Sequence, residues 1–239
     1  MTGRPESRRI LVTGAGRGLG LEFSRQWLER GHEVFALARD PGRSKGLADL
    51  KRRHPDTLRT QACDVADDAS VERGRRAVEA AWDRLDILVN NAGLFGTRGG
   101  TVESLDLEEV RRLIEVNTLG PLRVTRAFLP LLRKGTRPRV IQITSLMGSI
   151  DDNKSGSYYS YRLSKAALNM ASRNLAHDLK TSGILSVALH PGWVRTEMGG
   201  SDAPLGVEEA VSALIHAIDA LTPDQSGGFF DRLGKPQPW

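Results

Sequence analysis

The sequence predicts an α/β fold: a doubly wound, parallel sheet of about seven strands with helices on both faces. Short apolar runs rich in Val, Ile and Leu recur along the chain, and segments with helical periodicity separate them. A glycine-rich turn follows the first apolar run. Because no linker-like stretch divides the 239 residues, residues 1–239 are expected to form a single domain.

The order of the elements follows from these patterns. Gly31 predicts a left-handed end for the first helix. A long helix is predicted at Tyr161–Thr181, and Gly183 is expected to end it. Alternating strands and helices favour right-handed crossovers, with ligands bound beyond the carboxyl ends of the strands. The predicted strands are Arg9–Thr13, Glu33–Ala38, Leu58–Ala62, Ile87–Asn90, Val140–Thr144, Leu185–His190 and, more weakly, Gly228–Phe230.

Composition narrows the class of protein. A lone cysteine, Cys63, excludes an intrachain disulfide. Met1–Arg9 lacks the apolar core of a signal peptide, and no apolar run approaches the ~20 residues of a membrane span. We therefore expect a cytoplasmic protein that contacts no membrane. The formal net charge of +5 fits either a solvated surface or nucleic-acid binding. The even spread of the basic residues favours a solvated surface, so no nucleic acid is expected.

The turn after the first strand has the pattern Thr-Gly-x-x-x-Gly-x-Gly. Glycines let the backbone turn sharply, and the helix that follows offers free N–H groups to an anion such as a pyrophosphate. A tight turn without a ligand is the alternative. The candidate cofactor contacts here are Gly14, Gly16, Arg17, Gly18, Leu19 and Gly20.

The end of the second strand bears on the choice of dinucleotide. An acidic residue there would bond the ribose 2′-hydroxyl, but the strand ends in Arg39. Arg39 can hold a 2′-phosphate, and Arg17 is a second candidate clamp. A surface arginine is the alternative, and the adjacent Asp40 can soften the preference. We predict that NADP(H) is preferred and that NAD(H) is possible.

Tyr161 and Lys165 are four residues apart at the start of the long helix, so they share one side. Reduction of a carbonyl creates an alkoxide that needs a proton. An ammonium about 4 Å from the phenol is worth about 4 kcal/mol, which would bring the Tyr161 pKa close to 7. Ser145 follows the fifth strand and can bond the substrate oxygen. A chance Tyr-x-x-x-Lys is the alternative.

Together these residues resemble the short-chain dehydrogenase/reductase family over nearly the whole chain. The resemblance implies a Rossmann fold and hydride transfer between a nicotinamide and a small carbonyl or alcohol substrate. It rests on the glycine turn, Asp64 with Val65, Asn90-Asn91-Ala92-Gly93, Asn117, Ser145, Tyr161 with Lys165, and Pro191-Gly192 with Thr196.

The resemblance also implies roles for individual residues. Ser145 orients the carbonyl, and Tyr161 transfers the proton. Lys165 lowers the Tyr161 pKa and binds the nicotinamide ribose, and Asn117 holds a water linked to Lys165. The expected catalytic set is Asn117, Ser145, Tyr161 and Lys165. Beyond the glycine turn and Arg39, the expected cofactor contacts are Asp64 at the adenine, Val65, Asn91, Ala92, Gly93, Tyr161, Lys165, Pro191, Gly192, Val194 and Thr196 at the carboxamide. Asn90 is expected to stiffen the sheet.

Within the family, the chain is similar to sniffer-type carbonyl reductases and C-factor-like proteins. The similarity lies in the glycine turn, the step from Ser145 to Tyr161, and the segments Trp193–Gly200 and Gly234–Trp239. Only Ser201–Leu205 separates the segment Trp193–Gly200 from the next helix. Such a short loop leaves the pocket open, which favours a permissive carbonyl reductase.

Other interpretations stay open. Phe95, Leu146, Met147, Tyr159 and Trp193 either line the substrate cleft or serve packing. No base role is expected for His190, and no cluster has metal-ligand spacing. A non-catalytic dinucleotide sensor or signalling protein is the alternative function. The resemblance suggests a dimer or tetramer through helices near Thr118–Lys134 and Tyr161–Thr181, and a monomer remains possible.

Overall fold

Seven parallel strands form one sheet in the computed structural model, which describes residues 7–239. The strands are β1 (Arg9–Thr13), β2 (Glu33–Ala38), β3 (Leu58–Ala62), β4 (Ile87–Asn90), β5 (Arg139–Ile143), β6 (Leu185–His190) and β7 (Phe229–Asp231). Their order across the sheet is β3-β2-β1-β4-β5-β6-β7. Because the order reverses between β1 and β4, the carboxyl ends of these strands open a crevice for ligands. The predicted fold class is confirmed.

Helices cover both faces of the sheet. They are α1 (Gly18–Glu29), α2 (Lys45–Arg53), α3 (Asp68–Glu79), α4 (Leu107–Ile114), α5 (Gly120–Leu132), α6 (Tyr159–Asp178) and α7 (Val207–Ala220). On the face covered by α1, α2 and α7, the buried rings of Phe23 and Trp27 stack with centroids 5.0 Å apart. On the other face, α3 and α5 bury Val78, Val124 and Phe128. Both layers exclude water from the sheet, so the strand ends are rigidly placed.

Element bounds differ from the prediction at three places. The strands β5 and β7 are shifted by one residue, and α6 runs Tyr159–Asp178 rather than Tyr161–Thr181. The strand β5 starts at Arg139, which is buried and donates hydrogen bonds to the carbonyls of Ile218 and Leu221 near the end of α7. From the sequence alone, a charged residue at this position indicates a loop, because its bonds to the end of a distant helix are not visible there. The predicted start of β5 is therefore one residue late.

The predicted helix ends are confirmed at both glycines. Gly31 and Gly183 have φ angles of 84° and 66°, in the left-handed region. The helix expected near Thr118–Lys134 is α5, and a π-helical segment, Glu115–Leu119, leads into it. In residues 7–239, no helix combines the length and apolar character needed to cross a membrane. Most of Met1–Arg9, where no signal peptide is expected, lies outside the described residues.

Candidate active site

The glycine turn is packed against the loop that follows β4. A Cβ on Gly14 would lie 2.8 Å from the Cα of Ala92, and one on Gly20 would lie 2.4 Å from the Gly14 carbonyl oxygen. The Thr13 hydroxyl oxygen accepts hydrogen bonds from the amides of Asn91 and Ala92 at 3.0 and 3.1 Å. The Asn91 side chain donates to the Thr13 carbonyl at 2.8 Å. Side chains are thus excluded where two loops meet at the switch point.

The first turn of α1 presents free backbone donors. The helix begins at Gly18, and no side chain caps it through a hydrogen bond. Its first N–H groups therefore face the glycine turn without an intrahelical partner, and the helix dipole adds partial positive charge. Gly16 is fixed there by Ser44, whose hydroxyl donates to the Gly16 carbonyl at 2.6 Å. A dinucleotide pyrophosphate fits this arrangement.

Two arginines lie at the mouth beside this turn. Arg39 is exposed, and its guanidinium has no hydrogen-bond or ion-pair partner in residues 7–239. Asp40 is paired with Arg43 and not with Arg39. Its carboxylate accepts a hydrogen bond from the Arg43 amide at 3.3 Å and pairs with the Arg43 guanidinium at 3.1 Å. Arg17 pairs with Glu197 in solvent, where an ion pair contributes little. Neither arginine is held by a buried carboxylate.

The remaining candidate cofactor residues lie along the same edge of the sheet. Asp64 accepts a hydrogen bond from the Ala66 amide at 3.0 Å through one carboxylate oxygen. The methyl group of Thr196 would lie 3.5 Å from a Cβ on Gly18, so the loop after β6 meets the glycine turn. Val65, Pro191 and Val194 are buried, Gly192 has a φ of 88°, and Gly93 and Leu19 are half-buried. Asn90 instead donates to the Thr125 hydroxyl on α5 at 3.0 Å.

Tyr161 and Lys165 lie one turn apart on α6 and are 8% and 5% exposed. The Lys165 ammonium donates to the Ile143 carbonyl at 2.9 Å and lies 5.8 Å from the centre of the Tyr161 ring. Ser145 is half-buried, and its hydroxyl oxygen accepts from the Met147 amide at 3.1 Å. The Ser145 side chain also forms a hydrogen bond with the Tyr161 side chain. Phenol, ammonium and hydroxyl thus converge on one side of α6.

Burial dominates the electrostatics of this group. It raises the pKa of Tyr161 to about 12, against the opposing effect of the Ser145 side chain. Burial also lowers the pKa of Lys165 to about 8. The expectation that Lys165 brings the Tyr161 pKa close to 7 is therefore wrong for the polypeptide. Desolvation of the phenolate outweighs any attraction to an ammonium that is itself disfavoured by burial.

Asn117 lies in the π-helical segment and is fully buried. Its side-chain oxygen accepts from the Leu94 amide at 2.7 Å. Its side-chain nitrogen donates to the Leu94 carbonyl at 2.8 Å and to the Ser164 hydroxyl at 3.0 Å. Both amide protons are engaged, so only oxygen atoms of Asn117 remain for the water that the resemblance implies. That role stays a prediction.

Aromatic rings pack beside Tyr161 in the cleft. The Phe95 ring lies 4.5 Å from the Tyr161 ring, and Tyr158 meets Phe95 edge-on at 6.0 Å. The guanidinium of Arg98 lies 5.1 Å from the Phe95 ring centre. Sequence reasoning missed Tyr158 and Arg98. Tyr158 precedes α6 with a left-handed φ of 52°, so no helical spacing in the sequence indicates its position.

The other cleft candidates lie farther out. Trp193 is 56% exposed, and its indole nitrogen donates to the Gly199 carbonyl at 2.8 Å. Tyr159 is exposed, while Leu146 and Met147 form a half-buried 3₁₀ turn after Ser145. Burial lowers the pKa of His190 to about 4, so this imidazole is neutral at pH 7. In residues 7–239, no group of three or more His, Cys, Asp or Glu side chains is placed to hold a metal ion.

Trp239 secures the loop that follows Ser145. Its main-chain oxygen accepts from the Ser149 hydroxyl at 3.1 Å and from the Ile150 and Asp151 amides at 2.9 Å each. The indole ring lies 5.5 Å from the Phe229 ring and 5.4 Å from the Arg173 guanidinium. The segment Gly234–Trp239, which carried part of the resemblance, thus supports the Ser145 side of the cleft.

Comparisons with known proteins agree with this geometry. The family model described as short chain dehydrogenase matches residues 8–204. The carbonyl reductase Sniffer of D. melanogaster shares 32% identity with a TM-score of 0.93, covering 98% of this chain and 100% of that chain. An NADPH-bound carbonyl reductase from chicken fatty liver shares 35% identity with a TM-score of 0.90, at the same coverage.

Two curated relatives differ in what their names record. The 1-hydroxy-2-glutathionyl-2-methyl-3-butene dehydrogenase of Rhodococcus sp. (strain AD45) is 38% identical over 234 residues, which are 96% of this chain and 99% of the relative. The C-signal of Myxococcus xanthus is 48% identical over 155 residues, which are 65% of this chain and 93% of the relative. The predicted resemblance to sniffer-type and C-factor-like proteins is confirmed.

The close approach at Gly20 gives a test of the turn. Gly20→Ala should raise the Kd for NADPH at least tenfold, because the new methyl group collides with the Gly14 carbonyl and the Asn91 side chain. Gly42→Ala is the matched control, since its Cβ would meet only the Asp40 carboxylate at 3.6 Å. Titration of NADPH fluorescence measures both, and unchanged binding by Gly20→Ala would contradict the proposed pyrophosphate site.

Proposed function

The chain belongs to the short chain dehydrogenase family, and from this premise we propose that it is an NADP(H)-dependent carbonyl reductase of broad substrate range. The observation that carries the proposal is the buried pair Tyr161 and Lys165, with the Ser145 side chain hydrogen-bonded to Tyr161. Burying a phenol and an ammonium together is costly, and a structural role does not require it.

The residues of the chain supply proton transfer and orientation. NADPH, when bound, supplies the hydride. Ser145 donates a hydrogen bond to the carbonyl oxygen and thereby polarises it. Tyr161 gives its proton to the alkoxide that forms. Lys165, held by the Ile143 carbonyl, contributes positive charge next to the oxygen where negative charge develops.

The raised pKa of Tyr161 concerns the proton-donating step. A phenol whose pKa is raised to about 12 keeps its proton at neutral pH. Alcohol oxidation would need the phenolate, which burial disfavours, so oxidation should require a higher pH than reduction.

NADPH is the proposed cofactor because of the charges near β2. Arg39 has no protein partner in the described part of the chain, and Asp40 is engaged with Arg43 rather than placed for a ribose hydroxyl. Arg17 is bound only by an exposed ion pair with Glu197, which a phosphate can replace. The carbonyl reductase from chicken fatty liver, whose crystal structure contains NADPH, supports the same choice.

A second candidate is a signalling role, favoured by the similarity to C-signal. Signalling that depends only on dinucleotide binding needs the glycine turn but not the buried Tyr161, Lys165 and Ser145. We place it second because these three groups converge in the cleft. It becomes the first choice if NADPH raises the Tm but no carbonyl compound is turned over.

Replacement of the phenol tests the enzyme directly. Tyr161→Phe should lower kcat about 10³-fold while NADPH still raises the Tm, since the hydroxyl donates the proton but does little for binding. Tyr159→Phe, two residues earlier and exposed, is the matched control and should keep full activity. NADPH consumption over a panel of aldehydes, ketones and quinones measures both. Equal activity of Tyr161→Phe and wild type would overturn the mechanism.

Cofactor choice is tested at Arg39. Arg39→Gln should lower kcat/KM for NADPH about tenfold and leave the value for NADH nearly unchanged, because only NADPH carries the 2′-phosphate. Arg133→Gln, which removes the same charge at an exposed position just after α5, should alter neither value. Steady-state kinetics with both cofactors gives the result. Comparable kcat/KM for the two cofactors in the wild type would refute the preference.

The pH profile of reduction should report Lys165. Its pKa is lowered to about 8, so the ammonium is present below that pH and is lost above it, whereas Tyr161 stays protonated up to about 12. We expect kcat/KM for reduction to be level between about pH 6 and 7.5 and to fall above about pH 8. A level profile up to pH 10 would contradict the assigned role of Lys165.

A further inference from the structure

Arg98 is a charged group at the cleft that the proposed chemistry does not use. It lies in the loop between β4 and α4, and one guanidinium nitrogen donates to the Met198 carbonyl at 2.8 Å. That carbonyl belongs to the loop after β6, so Arg98 reaches from one wall of the cleft to the other. Its guanidinium also lies over the Phe95 ring at 5.1 Å. These two contacts restrain a side chain that would otherwise move freely in solvent.

The position of Arg98 relative to the reacting groups is bounded by two ring contacts. Phe95 touches the Tyr161 ring at 4.5 Å on one side and the Arg98 guanidinium at 5.1 Å on the other. The guanidinium therefore lies no farther from the Tyr161 ring than these two contacts laid end to end. That span suits a substrate whose carbonyl is at Tyr161 and whose other end reaches Arg98.

The donors of Arg98 remain available to a ligand. Its Nε and Nη1 atoms have no hydrogen-bond partner in residues 7–239, and no carboxylate there forms an ion pair with it. Its neighbour in the loop, Thr97, holds Glu109 through its amide at 2.9 Å and its hydroxyl at 2.8 Å. Ser160 holds the second oxygen of Glu109 at 2.9 Å. The Glu109 carboxylate is thus hydrogen-bonded by Thr97 and Ser160 and does not pair with Arg98.

From this geometry we propose that Arg98 is a specificity-determining residue that selects carbonyl compounds carrying a carboxylate at the end remote from the reacting carbon. The apolar middle of such a substrate would lie along the rings of Phe95 and Tyr158. Nη2 keeps one N–H besides its bond to Met198, and together with Nε or Nη1 it forms the fork that a carboxylate accepts. The inference rests on the proposed function, since it concerns the substrate of the same site.

Matched substrates test the charge alone. We would measure NADPH consumption with 4-formylbenzoate and 4-formylcinnamate and with the primary amide of each, which keeps the shape but removes the charge. In the wild type, at least one carboxylate should have a kcat/KM about tenfold above that of its amide, mainly through a lower KM. The preference should shrink as salt is raised, because an exposed charge pair is screened.

Matched variants assign the preference to Arg98. Arg98→Gln should bring carboxylate and amide to within about twofold of each other, mainly by raising the KM for the carboxylates. Arg98→Lys should keep part of the preference, because it keeps the charge but not the fork. Arg133→Gln removes one positive charge from the end of α5 and should keep the full preference.

The outcomes separate this inference from the function on which it rests. If the wild type reduces none of the four aldehydes or the wider carbonyl panel, the proposed function fails. If it reduces carboxylates and amides equally, or if Arg98→Gln keeps the wild-type preference, the role of Arg98 is overturned while the reductase assignment stands.

Discussion

The side chain of Asn117 joins the three segments on which the site depends. It holds the Leu94 amide and carbonyl in the loop after β4, and it holds the Ser164 hydroxyl on α6. Ser164 lies between Tyr161 and Lys165, the pair to which we assign proton transfer, and its own hydroxyl donates to the Tyr161 carbonyl at 2.8 Å. The π-helical segment supplies the register shift that aims Asn117 at both partners. Because the group is fully buried, loss of any one bond leaves a polar atom unpaired.

This fixed frame explains how a phenol and an ammonium can stay buried side by side. Desolvation disfavours the charged form of each group. It raises the pKa of Tyr161 and lowers the pKa of Lys165. The combination of a protonated phenol and a titratable amine suits proton donation near neutral pH. The glycine turn is packed just as tightly. Gly14 and Gly20 have no room for side chains at the place where the proposed cofactor would approach the backbone. Tight packing thus sets both the chemistry and the access of the cofactor.

Much of this arrangement could be predicted from the sequence. The pattern of apolar residues predicted the strands, and Gly31 and Gly183 predicted the helix ends, because these signals are local in the sequence. The pKa of Tyr161 could not be predicted, since desolvation depends on how deeply distant segments bury the ring. The contacts of Arg98 and Trp239 could not be predicted for a related reason. Met198 is 100 residues from Arg98 and Ser149 is 90 residues from Trp239, and no short spacing signals such contacts.

The loop after β6 bears on both the openness of the cleft and the way in which the cleft would discriminate between substrates. It is held by its own bonds: the Arg195 amide donates to the Leu205 carbonyl at 2.8 Å, and Trp193 donates to Gly199. A loop this short and this bonded cannot close over a substrate as a long lid would. Discrimination must then come from groups already in place before binding. Under the proposed function, the aromatic rings would accept the apolar parts of many substrates and the restrained Arg98 guanidinium would discriminate by charge, so breadth and selectivity would arise from different parts of one cleft.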